Sequence, residues 1–544
     1  MFKYEYSTRK LMAKIIEELH FEDMLLIEKV GDEFILKLSN NTYFFKASVS
    51  AWKQLWINSE SIKKNEGEKL SVLDFIMDLN EILGMDDQTL AQFIEEANQT
   101  LYADLKLAEF KNYFSIDQLL EISFSRREQL LDGHPKLLLN KGRIGWGVSQ
   151  LENFSPEYGG QFKLVWLAVK DDFLLEGSDS TFSYENFLSY HYINGYQEGY
   201  TVVPVHPWQW DRYIRIQFME LIESGDIVFL GEKGQYFTPQ ASIRTLSCGS
   251  DHDVKLSLSI LNTSCVRGIP QRYIEAGADI SNKIFDICAS DSRLNSVRVL
   301  RELKSFSVKH PQFQKLDNCS YRYRELFGGV IRESVESQID DDEIAMSCAS
   351  LLIEINGESF IEKIFSEARC TVNEWLQAYT INVIFPLFHL QTEHGLGLVA
   401  HGQNIIVVLS DYIPTGVILK DFQGDLRLST ESPHRNCSAF STLAILPKEH
   451  LIHDLYTGHF ISFVRYFSRL LEERGVMKEK DFYLIINRTL SELSGEDNVL
   501  LSPEFDRILV NKVRFKIGYS ETADRPLPML GQKLQNPIYT EGLR

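Results

Sequence analysis

Ser242, Arg244, Thr245, Lys255 and Arg267 place two hydroxyls, two arginines and a lysine within 26 residues of mostly apolar sequence. Arginine offers a planar fork to two oxygens. Lysine supplies a compact charge, and hydroxyls donate without adding charge. The stretch KLSLSIL alternates and predicts a strand, with Lys255, Ser257 and Ser259 on one face and Leu256, Leu258 and Ile260 on the other. Such a wall suits a polyphosphate or a polycarboxylate. A solvated polar sheet face explains the same spacing equally well.

Four other polar clusters have chemical potential. In GHPKLLLNKGRIGW, Gly133, Gly142 and Gly145 allow close backbone approach, and His134, Lys141 and Arg143 supply cations. Lys141 and Arg143 share a face if the segment is extended; taken alone, the segment reads as a basic turn. His206 precedes Pro207 at a helix start bearing Trp208 and Trp210, which reads as a packed junction before it reads as a ligand contact. His401, Gln403 and Asn404 precede an apolar strand and need partners if buried. His401 is suited to pair with a carboxylate or to act as a base. Asp421 ends the strand that follows, where it suits magnesium or simply a turn. There is no Walker loop, no H-E-x-x-H and no G-x-S-x-G.

These residues must be positioned by several packed parts. Residues 1–130 read as helix-rich, with one hairpin in EFILKLSNNTYFFKA turning at Asn-Asn. Strand patterns dominate 131–340: FKLVWLAVK, YTVVPV, IVFLG and KLSLSIL. From DDDEIAMSCASLLIEI onward, 341–544 reads as a helical part, its long helix disturbed at Pro386, with a strand pair in NIIVVLSDYIPTGVILKDF. Neither a repeat nor a long linker separates them, so firm docking with clefts between parts is expected. The chain has 544 residues and a formal net charge of −20. That charge argues against nucleic acid and against an anionic membrane surface, and is compatible with amines as partners. No apolar run is long enough to span a membrane. Seven scattered cysteines without metal spacing predict reduced thiols and a cytoplasmic protein.

Taken together, in order, these clusters resemble the siderophore synthetases that work independently of nonribosomal peptide synthetases, the aerobactin synthetase family. The resemblance runs through Gly133, His134, Pro135, Lys141, Arg143 and Gly145, then SPEYGGQFKLVWLAV and VPVHPWQ. It continues through Ser242, Arg244, Thr245, Lys255, Thr263 and Arg267, then AHGQN at 400–404 and Asp421-Phe422. It implies an α+β fold shaped as a cupped hand, with thumb (1–130), fingers (131–340) and palm (341–544), and a mixed or antiparallel sheet core. It implies ATP and Mg²⁺ as cofactors. A carboxylic acid, usually citrate, is adenylated, and an amine or polyamine then displaces AMP to form an amide. Ser242, Arg244, Thr245, Lys255, Thr263 and Arg267 are implied for the phosphates. His401 with Arg267 is implied for the acid, with His401, Arg267 and Lys255 catalytic. Gln403 and Asn404, with His134, Lys141 and Arg143, are implied around the nucleotide, and Asp421 at the metal. Family members often form dimers, so a homodimer is a further expectation.

Three positions depart from the family pattern. Leu137-Leu138 replaces a second His-Pro, Val399 replaces a Glu two before His401, and Lys420 replaces an Arg. The leading expectation is an ATP-dependent ligase of siderophore biosynthesis. The alternatives are a homologue that holds nucleotide or citrate with impaired catalysis, and a carboxylate–amine ligase outside siderophore chemistry.

Overall fold

The structure, a computed structural model, describes residues 2–65, 69–263, 265–494, 498–517 and 529–539. It opens with the helix Phe2–Phe21, whose Leu11, Met12, Ile15, Ile16 and Leu19 form a buried stripe at helical spacing. That stripe packs on the helices Val72–Leu83 and Asp87–Lys111. Ser71 and Asp86 cap these two, each accepting a backbone N–H three residues on. The expected hairpin is present: Glu33–Lys37 pairs with Thr42–Phe45, burying Phe34, Leu36, Tyr43 and Phe45.

The next part is an eight-stranded sheet in which every neighbouring pair is antiparallel. Its order is Leu174–Ser178, Glu302–Val308, Gly328–Glu333, His252–Leu256, Thr245–Ser247, Ile227–Pro239, Phe162–Lys170, Tyr200–Val205. Register sets Thr245 opposite Lys255, Ser247 opposite Asp253, and Arg332 opposite both Asp253 and Glu302. Opposed residues share a face, so these side chains form one polar wall. Leu246, Val254, Leu256 and Ile331 fill the core behind it.

The single alternating strand expected from Lys255 onward is in fact two. His252–Leu256 stays in the large sheet, while Leu258–Asn262 leaves it and pairs with Cys265–Arg267. The break falls at Ser257, whose N–H donates to the Gly328 carbonyl at 2.9 Å and whose hydroxyl donates to the Glu325 carbonyl at 2.7 Å. Ser259 accepts from Gln209 at 2.8 Å. These hydroxyls are therefore satisfied internally and do not join Lys255 on its wall.

A second sheet runs Val297–Val299, Ile413–Leu419, Ile405–Ser410, Glu343–Ser347, with one parallel pair at Val297–Val299. The expected strand pair closes through Asp411 and Tyr412, both at positive φ (48° and 63°), as a two-residue hairpin requires. Glu343–Ser347, read from sequence as the start of the helical part, is its edge strand. Five residues cannot hold a helix alone, and pairing with Ile405–Ser410 decides the matter. The disturbance at Pro386 appears as a π turn, Thr380–Ile384, between the helices Val372–Tyr379 and Phe385–Thr392. Proline has no N–H to continue the regular ladder.

Buried ion pairs dock the first helix onto the C-terminal part. Arg465, fully buried, donates to both oxygens of Glu18 at 3.0 Å. Glu22 takes the Lys136 ammonium at 3.1 Å and accepts backbone N–H groups of Val510, Asn511 and Lys512, capping the helix Val510–Ile517. Lys136 lies inside the first glycine-bearing motif, so this network anchors that motif too.

Candidate active site

The polar wall meets a tight turn between Ile227–Pro239 and Thr245–Ser247. Ile243 donates to the Gln240 carbonyl at 2.8 Å, and the Thr245 N–H donates to the Ser242 hydroxyl at 3.2 Å. Ile243 adopts φ 67°, a left-handed conformation that a β-branched residue rarely tolerates. Its side chain is fully buried with Trp146, Leu258 and Ile260. That burial offsets the strain and turns Ser242 and Arg244 outward on either side. Thr263 (φ 51°), Arg143 (φ 40°) and Asp421 (φ 64°) are likewise left-handed. Four motif positions thus carry backbone strain of about 1–3 kcal/mol each, a pattern typical of functional sites.

Arg244 donates to the Gly268 carbonyl, which draws it toward Arg267. Arg267 donates to the Asn262 carbonyl at 3.1 Å and to the Thr263 hydroxyl. Burial and then the neighbouring Arg267 lower the Arg244 pKa. Two guanidiniums held close, with Asp421 and Glu325 acting on Arg244, are arranged for an anionic ligand.

Asp421 is the anion at the centre. It accepts from Lys255 and, at 3.0 Å, from Arg332. Burial opposes its charge, but Lys255, Arg332 and Lys420 outweigh that and hold it well below the usual carboxylate range. Arg332 also reaches Asp253 at 3.3 Å, and Gln240 donates to Asp253 at 2.9 Å. Burial pushes Glu302 up to about 7, although Lys255 and the Gln423 amide favour its charge. A Cβ on Gly277 would lie 2.5 Å from both the Glu302 carboxylate and the Gln423 amide, so only glycine lets the helix Gly277–Ser290 start this close. Lys420 is buried behind the cluster, over the Phe124 ring at 5.4 Å.

His401 lies on the loop that leads into the interior strand Ile405–Ser410 of the second sheet. The loop is held from behind by the buried His459, which bonds the Ala400 carbonyl at 3.1 Å and Tyr379 at 2.9 Å. Gly458 allows this approach, since a Cβ there would lie 2.8 Å from the Ala400 nitrogen. The Gln403 N–H donates to His401 Nδ1 at 3.3 Å, and Asn404 bridges the Val399 carbonyl and Asp425 at 3.4 and 3.3 Å. Burial lowers the His401 pKa despite Asp425 and Asp421, so the ring is neutral near pH 7. Arg267 also acts on it. His134 stands edge-on to it, with ring centroids 5.8 Å apart.

The structure thus gathers Arg244, Lys255, Arg267, His401, Asp421 and His134 into one neighbourhood. It uses Lys141 and Arg143 differently from the expected shared face. Lys141 is buried against Asp104 at 2.7 Å, and Arg143 against Glu157 at 2.5 Å. The left-handed bend at Arg143 separates them. Ile144 then bridges Leu261, which ties this segment to the Arg267 hairpin. His206 caps its helix by accepting the Trp208 N–H at 3.1 Å and packs among Phe154 and Phe162, as a junction residue. Arg332, Asp253, Glu302 and Asp425 escaped the sequence reading. Glu302 and Arg332 lie on other strands, and only strand register brings them beside Lys255. Asp253, two before Lys255, was the one visible hint.

Comparison with known proteins places the chain in a family. Residues 123–353 match the sequence profile described as "IucA / IucC family", and 373–516 match one described as "Ferric iron reductase FhuF-like transporter". Aerobactin synthase of Escherichia coli is 32% identical, with 98% of each chain aligned. The chain belongs to the IucA/IucC family of siderophore synthetases. Aerobactin synthetase IucC from a hypervirulent pathotype of Klebsiella pneumoniae superposes with a TM-score of 0.87 at 30% identity, covering 99% of both chains. The ATP-bound aerobactin synthetase IucA of the same pathotype superposes with a TM-score of 0.80 at 18% identity, covering 98% of this chain and 99% of that one. The α+β architecture with its antiparallel sheet core is therefore that of the siderophore synthetases. Beside Val399, the Val399 N–H donates to the Asp425 carbonyl at 2.9 Å, and the Asp425 side chain accepts from Asn404 at 3.3 Å and acts on His401.

Proposed function

We propose that this chain is an AMP-forming, ATP-dependent ligase of siderophore biosynthesis that adenylates citrate or a related polycarboxylate and joins it to an amine or polyamine. The observation that carries this reading is the convergence of Lys255, Arg332 and Arg244 on Asp421, with Arg267 beside Arg244 and neutral His401 next to them. A carboxylate attacking the α-phosphate brings two anions together. Preorganised cations offset that repulsion and take up the charge of the departing pyrophosphate. Each such donor is worth about 2.7–4 kcal/mol in comparable sites.

The tautomer of His401 refines its role. Nδ1 accepts the Gln403 N–H, so the neutral ring carries its proton on Nε2. His401 is then a donor to the acid's carboxylate, and to the acyl oxygen as the amine adds and AMP leaves. This favours pairing with the acid over a base role.

The donor set also fits magnesium. Asp421 keeps 14% exposure between Lys255 and Arg332, and Asp425 and Glu302 are further carboxylates nearby, the hard oxygen donors that Mg²⁺ prefers. Asp421 and Asp425 would hold the ion, which would add positive charge beside the phosphates. The seven cysteines are all unpaired, which suits the reducing cytoplasm. Among the described residues no helix is long and apolar enough to cross a membrane.

Citrate-dependent ATP–pyrophosphate exchange tests adenylation, and the product mass from a panel of amines tests ligation. Absence of exchange with citrate and with related polycarboxylates would reject the proposal. A product outside siderophore chemistry would reject only its pathway.

A further inference from the structure

Three imidazoles and one carboxylate cluster far from the reaction centre. His389 Nε2 lies 2.8 Å and His394 Nε2 3.0 Å from the same oxygen, Oδ2 of Asp291. The ligand atoms of these three residues all fall within 4.8 Å of one another. His434 Nε2 lies 3.1 Å from His394 Nδ1, with the two rings stacked at 13°. Two histidines are thus gathered on one aspartate that the proposed reaction does not use, with a third, His434, behind one of them.

We propose that Asp291, His389 and His394 bind one divalent first-row transition cation, zinc or ferrous iron, with His434 as the residue that orients His394. Two imidazoles and one carboxylate with open positions are a donor set used for both metals. Metal bonds of about 2.0–2.2 Å set tetrahedral ligand atoms about 3.4 Å apart. The rings need to withdraw from Asp291 by only about half an ångström to admit an ion. His389 is 7% exposed, while His394 and Asp291 are 17% and 23% exposed, so the cluster is walled on one side and open to an entering ion on the other. Without an ion, His394 Nε2 donates to Asp291; on binding one, the ring would carry its proton on Nδ1, donated to His434 at 3.1 Å, and give its Nε2 lone pair to the metal. Lys283 is the nearby cation that acts on His434, and it faces the supporting ring.

The supports are as built as the ligands. Ser432 donates to the His394 carbonyl at 2.6 Å and accepts the His434 N–H at 3.1 Å, which locks both rings' backbones together. Asp291 follows the helix Gly277–Ser290, whose other end meets Glu302 and Gln423, about 20 Å away at 1.5 Å per residue. His394 leads through the strand Leu396–Leu398 to His401. A cation here would staple the far ends of two elements that position the reaction site.

The test uses the full chain, stripped with EDTA and titrated with ZnCl₂ and, without oxygen, with ferrous sulfate. One equivalent of at least one metal should bind with sub-micromolar affinity, and the better binder identifies the ion. Asp291→Asn keeps an oxygen that accepts from both rings, so the fold should persist while affinity falls at least 100-fold. His434→Gln should lower affinity about 10–100-fold, as loss of an orienting partner does. X-ray absorption of the loaded parent protein should show two imidazoles, a readout that needs no variant. Parent affinity weaker than about 10 µM, unchanged binding in Asp291→Asn, or an absorption spectrum without imidazole scattering would overturn the proposal.

Discussion

Arg332→Gln is the perturbation with the largest calculable effect. Arg332 is 3% exposed and serves two carboxylates, Asp253 at 3.3 Å and Asp421 at 3.0 Å. Asp253 is 1% exposed, and without Arg332 its remaining side-chain hydrogen-bond partner among the described residues is the neutral Gln240 amide, with Lys420 acting without a bond. Removing one partner of a buried pair costs about 3–5 kcal/mol, because the other charge is left uncompensated. In a cooperative unit of 150–250 residues each kcal/mol moves Tm by about 2–4 °C. Arg332→Gln should therefore lower Tm by about 6–20 °C. Adding Asp253→Asn removes the stranded charge, and the double variant should recover part of the loss, with a coupling of about 0.5–3 kcal/mol. Activity should separate from stability. Asp421 would be held by Lys255 on one side only, and a misplacement near 1 Å costs about 10²-fold in rate. Citrate-dependent pyrophosphate exchange should thus stay low in the double variant although its Tm recovers. Scanning calorimetry and the exchange assay on the parent, both singles and the double decide the matter. A single variant melting within about 2 °C of the parent, or a double variant no more stable than Arg332→Gln, would refute the argument.

His401→Ala should lose about 10²–10³-fold in exchange, as loss of one preorganised donor does, while His401→Gln, which still donates, should retain most of it; equal loss in both would point to a base instead. Asp421→Asn and Asp425→Asn should each raise the Mg²⁺ concentration needed for half-maximal exchange, and unchanged titrations would remove these carboxylates from the metal site. Arg267→Ala should abolish exchange with its Tm little altered, since among the described residues Arg267 donates to a carbonyl and a hydroxyl of its own hairpin; near-parent exchange would contradict its assignment. His206 is buried and held neutral, its pKa lowered to about 3. Its contribution is whole above the unfolded value near 6.5 and is lost as pH falls toward 3, because the unfolded chain binds the proton first. His206→Asn can still cap the helix, so its Tm relative to the parent should rise between pH 6.5 and 4; parallel curves would show that His206 is not acid-sensitive.

Local order in the sequence determined much of this protein. Period-two and helical spacing located Phe162–Lys170, Tyr200–Val205, the Ile405–Leu419 strand pair and the helix Phe2–Phe21, because each element's buried face repeats within a few residues. The ordered motifs identified the family, and it was the resemblance, more than residue type, that singled out Ser242, Arg244, Thr245, Lys255, Arg267, His401 and Asp421. Pairing between distant segments was not legible. Glu302 and Arg332 join the wall of Asp253 and Lys255 only through strand register, in the case of Arg332 across some 80 residues. Ser257 and Ser259 left the expected wall because Glu325 and Gln209, distant in sequence, claimed their hydroxyls. Lys141 and Arg143 looked like free cations until Asp104 and Glu157 closed on them. Spacing reports what a side chain can do. Which partner reaches it first is set by long-range packing, and that alone decided which charges stay open for a ligand.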